Sequence, residues 1–286
     1  MAKGPRNIKK LLAEGLDIPE EKKGFLPAGF QRIGHVVILN LRPEISGYAK
    51  QIAGLVLDNF TYVKTVCLAE GVSGELRKPT VRWIAGEKRT EAVHTENGCQ
   101  FTLDVTKVML SKGNLSERAR LPPLVRPGEV VVDMFAGIGY FSIPIARHAR
   151  PGKVYSIEKS LDSFRYLREN IRLNMVQERV SPTLGDCREV GLEDVADRVL
   201  MGYLPGTERF LPAAFRALRP EGGFIHYHDL FHESELWDKP LGILESQAGK
   251  AGYSLERVTH KGVVKEHSPR VYHVVVDAAF AGAGKI

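Results

Sequence analysis

The sequence predicts an α/β protein in two unequal parts: a small α+β domain, then a doubly wound parallel sheet. Three observations carry this. From about residue 125 onward, short β-branched apolar runs alternate with amphipathic segments of helix length, the pattern of parallel strands covered on both faces. Val130, Val131 and Val132 run into Asp133, and Ala136, Gly137 and Gly139 then make a turn with almost no side-chain bulk. The length, 286 residues, exceeds the usual single domain.

The elements follow in order. Residues 1–30 are basic, with Lys3, Arg6, Lys9, Lys10, Lys22 and Lys23, and Leu11, Leu12 and Leu16 predict one short helix on a surface segment. The small domain occupies residues 31–105. It opens on a strand over 32–41 and continues with a helix over 43–59, in which Ile45, Tyr48, Ile52, Leu55 and Val56 keep a helical rhythm. Strands over 61–68, 81–85, 91–94 and 99–104 follow, with a glycine-containing loop over 71–79. Arg77, Lys78, Arg82, Lys88 and Arg89 fall in one neighbourhood of sequence and suit a sugar-phosphate backbone. Residues 106–124 form a charged linker in which Ser116 is placed to cap a short helix bearing Glu117, Arg118 and Arg120. Residues 125–286 hold the larger domain.

In that domain the apolar stretch 141–146 reads as the helix after the glycine turn, with Pro144 tolerated in its first turn. A dinucleotide site would require G-x-G-x-x-G here, but Tyr140-Phe141-Ser142 follows Gly139, so the third glycine is missing. A strand ending in Asp133, then Phe135-Ala136-Gly137-Ile138-Gly139, instead resembles the first motif of the class I S-adenosylmethionine-dependent methyltransferases, a Rossmann-like fold. That resemblance implies S-adenosylmethionine as co-substrate, main chain at Gly137 and Gly139 against its methionine half, and Asp133 near its amino group.

The second strand, 154–157, ends at Glu158, about 20 residues past the glycines, where an acid commonly accepts ribose hydroxyls. Ser160 caps a helix whose apolar face is Leu161, Phe164, Leu167 and Ile171. The third strand, 180–184, closes with Gly185-Asp186-Cys187; Asp186 can accept the adenine amino group and the Cys187 amide can meet a ring nitrogen. Acids at three successive strand ends point into one crevice. The fourth strand, 198–205, brings Gly202, Tyr203 and Pro205 to that crevice. Amino-methylating relatives carry Asn-Pro-Pro-Tyr or a close variant at this position to hold a flipped base, and that resemblance implies substrate contact here, although no Asn is present. A helix over 210–218, a fifth strand over 224–228, a helix over 233–251 and a terminal hairpin over 255–264 and 271–276 complete the sheet. His226 and His228 share one side of the fifth strand, but two histidines do not make a metal site.

Composition narrows the function. Hydrophobic residues make up 43% and charged residues 26%, as expected of a soluble globular protein. The sequence contains no apolar run long enough to cross a bilayer and no apolar core behind the basic N-terminus, so neither a membrane partner nor a secretory signal is expected. Cys67, Cys99 and Cys187 are odd in number and widely spaced, which fits a reducing cytoplasm and predicts no metal. A net charge of +6 permits a polyanionic partner.

From about Gln31 the chain resembles the archaeal and eukaryotic enzymes that modify the purine just 3′ of the tRNA anticodon. One branch methylates guanine at N1 and shows Met-Asn-Leu-Pro at the end of the fourth strand. The other, the wybutosine-synthesising aminocarboxypropyltransferases, builds on a tricyclic base. Met201-Gly202-Tyr203-Leu204-Pro205 lacks the Asn and resembles the second branch, as does the run from Met109 to Asn114 followed by Glu117-Arg118. The resemblance implies transfer of the 3-amino-3-carboxypropyl group to carbon 7 of 4-demethylwyosine in tRNA(Phe), with release of methylthioadenosine. It also implies Ser111 and Arg118 at the methionine part, tRNA bound by its anticodon region, and a monomer. N1 methylation of guanine and a non-catalytic RNA-binding protein are the alternatives left open.

Overall fold

The computed structural model describes residues 8–110 and 114–282. The described residues divide into two compact units, 8–95 with 100–110 and 96–99 with 114–282.

In the first unit, helices α1 (Ile8–Gly15) and α2 (Glu20–Lys23) precede strands β1 (Gln31–Ile33) and β2 (Val36–Leu39). Helix α3 (Ala49–Asn59), strands β3 (Thr65–Ser73) and β4 (Lys78–Gly86), and the hairpin strands β5 (Glu91–Glu96) and β6 (Cys99–Asp104) follow. The sheet order is β1-β2-β3-β4. β2 and β3 run parallel because α3 crosses between them.

Four expectations change here. The strand over 32–41 breaks into a hairpin at Gly34, whose φ of +55° a β-carbon would not tolerate beside the Val93 carbonyl. The first part of the helix over 43–59 is a 3-10 turn, Pro43–Tyr48, in which the Ser46 hydroxyl donates to the Pro43 carbonyl at 2.8 Å. The loop over 71–79 is largely hairpin, since β3 and β4 stay paired out to Ser73 and Lys78. The N-terminal segment is not a detached surface strip: Ile8, Leu12, Leu16, Ile18 and Leu26 are buried in one cluster with Leu39, Ile52 and Val56. Spacing of four residues puts Ile8 and Leu12 on one face of α1.

The second unit begins with α4 (Leu115–Arg120), then β7 (Val130–Asp133), α5 (Ser142–His148), β8 (Lys153–Glu158), α6 (Leu161–Leu173), β9 (Val180–Leu184) and β10 (Arg198–Met201). Next come α7 (Leu211–Ala217), β11 (Gly222–His232), α8 (Asp238–Ala251), β12 (Tyr253–Ser268) and β13 (Val271–Gly282). The strand order is β12-β13-β11-β10-β7-β8-β9. Strands β7 to β11 are parallel, and β13 lies antiparallel between β11 and β12. The chain travels outward from β7 to β9 and resumes on the other side of β7 with β10, so a crevice opens at the carboxyl ends of β7 and β10.

Smaller expectations change as well. Asn114, not Ser116, is the N-cap position of α4, and it makes no side-chain cap bond. On α6, Ser160 does cap, accepting from Ser163 N at 3.4 Å, but Leu161 is exposed and Tyr166 and Asn170 join Leu167 and Ile171 on the buried face. The predicted helix over 233–251 is broken into a 3-10 turn, Glu233–Glu235, and α8.

The two faces of this sheet differ. One face is apolar: Val199, Met201, Ile225, Tyr227, Val274 and Val276 pack with Phe215 of α7 and Leu244 of α8. The period of two along a strand sends the intervening residues to the opposite face. There Asp277 lies 2.7 Å from His226 Nδ1 and pairs with Arg120 Nη1 at 2.5 Å, and Arg120 Nη2 reaches Glu117 Oε2 at 2.7 Å. Arg198 continues the chain, 2.7 Å from His226 Nε2 and 2.9 Å from Glu129 Oε2. Arg120 therefore pins α4 to the sheet through a nearly solvent-free carboxylate.

Replacing Arg120 with Leu should strand Glu117 and Asp277 and cost about 3–5 kcal/mol in denaturant unfolding. Replacing Arg82, whose pair with Glu70 is exposed, should cost less than about 1 kcal/mol in the same measurement.

Candidate functional site

The crevice is built first by Asp133, at the end of β7. It is fully buried; Oδ2 accepts from the Ser142 hydroxyl at 2.6 Å and Oδ1 from the Phe135 amide at 3.3 Å. Ser156 donates to Ser142 Oγ at 2.7 Å, so two hydroxyls line up behind the carboxyl. Burial pushes the Asp133 carboxyl up to about 6.

Glu158, at the end of β8, holds the glycine turn. Oε2 accepts from the Gly137 amide at 2.8 Å and Oε1 from the Ser160 amide at 2.6 Å. Its burial also raises the carboxyl's affinity for a proton. Gly137 has φ of +59° and Gly139 of +102°. A β-carbon on Gly139 would run into the Ile143 side chain. Between them, the Ile138 carbonyl accepts from Asn170 Nδ2 at 3.1 Å, so α6 braces the turn from below.

Asp186, after β9, is already engaged. Arg188 Nη2 reaches Oδ2 at 2.6 Å, Arg188 Nε reaches Oδ1 at 2.9 Å and Lys159 Nζ reaches Oδ2 at 3.2 Å. The Arg188 bonds hold the carboxyl well below the usual range. Cys187 sits in the apolar cluster with Val132, Met134 and Ile157, and burial pushes its thiol up to about 12. Only its backbone suits ligand contact.

Beyond β10, the Tyr203 ring packs 4.9 Å from Phe135 and 5.4 Å from Phe210, and Arg209 Nη2 donates to its hydroxyl at 3.0 Å. Asp229 of β11 staples the following loop: it accepts from Gly206 N at 2.9 Å, Thr207 N at 2.8 Å and the Tyr227 hydroxyl at 3.0 Å. Pro205 is exposed just before this staple. Gly202 lies against Phe141, where an added β-carbon would come within 2.7 Å of Cε2.

Arg118 is buried, paired with Glu96 Oε1 at 2.7 Å and stacked 4.2 Å over the Tyr140 ring. The five cations of the first unit, neighbours in sequence, are spread along and beyond β4. Arg77 and Lys78 lie at one end of β4 and Lys88 and Arg89 beyond the other, about 30 Å apart at ~3.3 Å per residue. Arg82, between them, is paired with Glu70 at 3.0 Å. Ser111 lies outside the described residues.

Sequence reasoning missed Ser142, Ser156, Asn170, Asp229 and Glu96. Ser142 had a signal, being a hydroxyl in the first turn of the helix after the glycines. The others act across tertiary contacts and had none. Among the described residues no group of three His, Cys, Asp or Glu is placed to hold a metal ion, and no helix is long and apolar enough to cross a membrane.

Comparison with known proteins adds to this geometry. A family model described as the TRM5/TYW2 methyltransferase domain matches residues 92–256, and one described as the TYW2 N-terminal domain matches residues 8–90. The chain is 44% identical over 252 residues to the tRNA(Phe) (4-demethylwyosine(37)-C(7)) aminocarboxypropyltransferase of Methanocaldococcus jannaschii, covering 88% of this chain and 97% of that protein. The crystal structure of Pyrococcus horikoshii TYW2 in complex with MeSAdo matches with a TM-score of 0.82 at 37% identity, covering 96% of this chain and 98% of that one. Wild-type Trm5b from Pyrococcus abyssi matches with a TM-score of 0.85 at 34% identity, covering 98% of this chain and 82% of that one.

The raised Asp133 carboxyl has a consequence for the ligand-free protein. Between about pH 4 and pH 6 the unfolded chain ionises this group while the folded chain keeps it protonated, so its contribution to stability falls as pH rises through that window. Asp133→Asn should remove roughly 3 kcal/mol of pH-dependent difference, seen when unfolding of the two proteins is compared at pH 4 and pH 7.

Proposed function

The chain belongs to the TRM5/TYW2 methyltransferase family, and from that membership we propose that it moves the 3-amino-3-carboxypropyl group of S-adenosylmethionine onto carbon 7 of 4-demethylwyosine beside the anticodon of tRNA(Phe). Methylthioadenosine is the leaving product. The observation that carries the choice of branch is Gly202. A β-carbon at this position would come within 2.7 Å of the Phe141 ring, so the Asn expected of the methylating branch fits only if that ring moves.

S-adenosylmethionine is a co-substrate whose sulfonium supplies the activated carbon. The residues at the crevice fit it. Carboxylates stand at the ends of three neighbouring strands, β7, β8 and β9, and strand spacing of about 4.8 Å spreads them over roughly 10 Å. Glu158 accepts the ribose hydroxyls while it fixes Gly137. Asp186 and the Cys187 amide take the adenine edge. The main chain at Gly137 and Gly139 lies against the methionine half, with Asp133 toward its amino group. Arg118, with Ser111, serves the carboxylate end, its guanidinium held in place by Glu96 and Tyr140.

A sulfonium offers three carbons, and only the one in line with the attacking atom at about 3–3.5 Å reacts. The protein selects by orientation. With the long arm turned toward Gly202 and Tyr203, the γ-carbon meets the base; with the methyl turned there, methylation would result. Pro205 and Tyr203 wall the base. The cations of the first unit, at both ends of β4, contact tRNA phosphates, with the anticodon region in the crevice of the second unit. The enzyme works as a monomer in the cytoplasm.

Incubation with S-adenosylmethionine and tRNA carrying 4-demethylwyosine should release methylthioadenosine; adenosylhomocysteine in the mass spectrum would reject the assignment. Glu158→Ala should weaken S-adenosylmethionine binding about tenfold or more in calorimetry. Arg118→Lys keeps the charge but loses the fork, and should reduce transfer while leaving methylthioadenosine affinity nearly unchanged, because that product has no carboxylate arm.

A further inference from the structure

One end of the sheet in the first unit gathers cations that the sequence scatters. Val36 pairs with Thr65 and Thr65 with Gly86, so the β1–β2 turn, the entry to β3 and the exit of β4 lie together. Lys64 N donates to the His35 carbonyl at 2.9 Å and Glu87 N to the Lys64 carbonyl at 2.8 Å. The Thr65 hydroxyl donates to the Glu87 and Arg89 carbonyls at 2.9 and 3.0 Å. Lys64, Lys88 and Arg89 are exposed there and form no ion pair among the described residues. Arg32, also exposed, makes a fourth cation, against the two acids Glu87 and Glu91.

An aromatic ring stands among these charges. Tyr62 is 41% exposed. The Arg32 guanidinium lies 4.1 Å over its ring, and Arg32 Nε donates to the Gly34 carbonyl at 2.9 Å, which anchors the guanidinium. Phe60 meets the ring at 60°, with centroids 5.8 Å apart, rather than stacking on it. The tyrosine is therefore held by its neighbours without being covered by them.

An open ring bearing a guanidinium, with cations beside it, has the chemistry of a stacking platform: a π face for a base and charges for its phosphates. A base inside a duplex has both faces covered by its neighbours and cannot use such a ring, whereas an unstacked base of a loop can. We propose that Arg32 and Tyr62, with Lys64, Lys88 and Arg89, form a site for an unpaired nucleotide of the RNA, its base on Tyr62 and its flanking phosphates on the lysines and Arg89. Because Arg32 already fixes the ring, binding orders few side chains. The inference rests on RNA being the substrate, as proposed above. It adds to phosphate contact a preference for single strands, which a set of cations alone does not give.

The test is equilibrium binding by the full chain, read by fluorescence anisotropy, with three labelled probes: tRNA(Phe), a short oligoadenylate, and an RNA duplex of the same length. Tyr62→Ala should weaken binding of tRNA(Phe) and oligoadenylate about tenfold and leave the duplex within about twofold. Tyr62→Phe, which keeps the ring, should bind all three as the wild type does. Lys64→Gln should lower the slope of log affinity against log salt for the oligoadenylate by about 0.7. If Tyr62→Ala prevents folding, Tyr62→Leu keeps the apolar bulk and carries the same readout. The platform is overturned if Tyr62→Ala binds oligoadenylate as the wild type does, if it loses single strand and duplex alike, or if the wild type takes up tRNA(Phe) but not oligoadenylate. A wild type that binds no RNA at all would instead remove the RNA reading, and the platform with it.

Discussion

The bond from the Gly137 amide to the Glu158 carboxylate is the contact on which the crevice depends. It ties the turn after β7 to the end of β8 at 2.8 Å, so the backbone at the turn and the acid beside it are fixed together. A glycine turn left to itself would sample many conformations, because glycine loses more freedom on folding than any other residue. Here Glu158 holds the turn from the front and Asn170 holds the Ile138 carbonyl from behind. The turn arrives pre-set, and a ligand need not organise it.

The sheet that carries this turn separates two kinds of chemistry. Its apolar face is closed by α7 and α8 and supplies burial. Its other face carries Arg198, His226, Asp277 and Arg120, a run of partners in which each polar group meets the next. Buried ions stabilise little in themselves, but each one removed leaves a neighbour unmet. That dependence makes the polar face specific in position: α4 can sit only where Arg120, steadied within the helix by Glu117, reaches Asp277. Placing α4 also places Arg118, two residues earlier, over Tyr140.

What the sequence made legible was whatever repeats or ends a strand. Asp133, Glu158 and Asp186 could be read because each stands at or just past the end of a strand, and Gly137 and Gly139 because a turn without side chains leaves a visible gap. Tertiary partners were not legible. Glu96 meets Arg118 from 22 residues away, and Asp277 meets Arg120 from 157 residues away, separations that no local pattern encodes. The extent of exposed strands was hard for a different reason. Glycine and proline between 71 and 79 signal a loop, yet a hairpin that extends past the core needs little apolar pattern to stay paired. The first helix carries its charges on the outside and buries Ile8 and Leu12, four residues apart, so its basic composition masks its packed face.

Reactivity does not choose among the carbons of a sulfonium, since all three bonds to sulfur are activated. The choice has to be made by shape at the place where the base enters. In the proposed reaction that place is bounded by Gly202, Phe141 and Tyr203, and a β-carbon at 202 would come within 2.7 Å of the Phe141 ring. A polar group there could hold a base by its edge. Without one, the proposed reaction leaves the base to be held by its faces, and Tyr203, fixed by Phe135, Phe210 and Arg209, offers an aromatic surface for that. A tricyclic base has more face than a guanine. On the proposed reading, loss of an edge contact and reliance on stacking favour the larger base, and the small residue at 202 is what removes the edge contact.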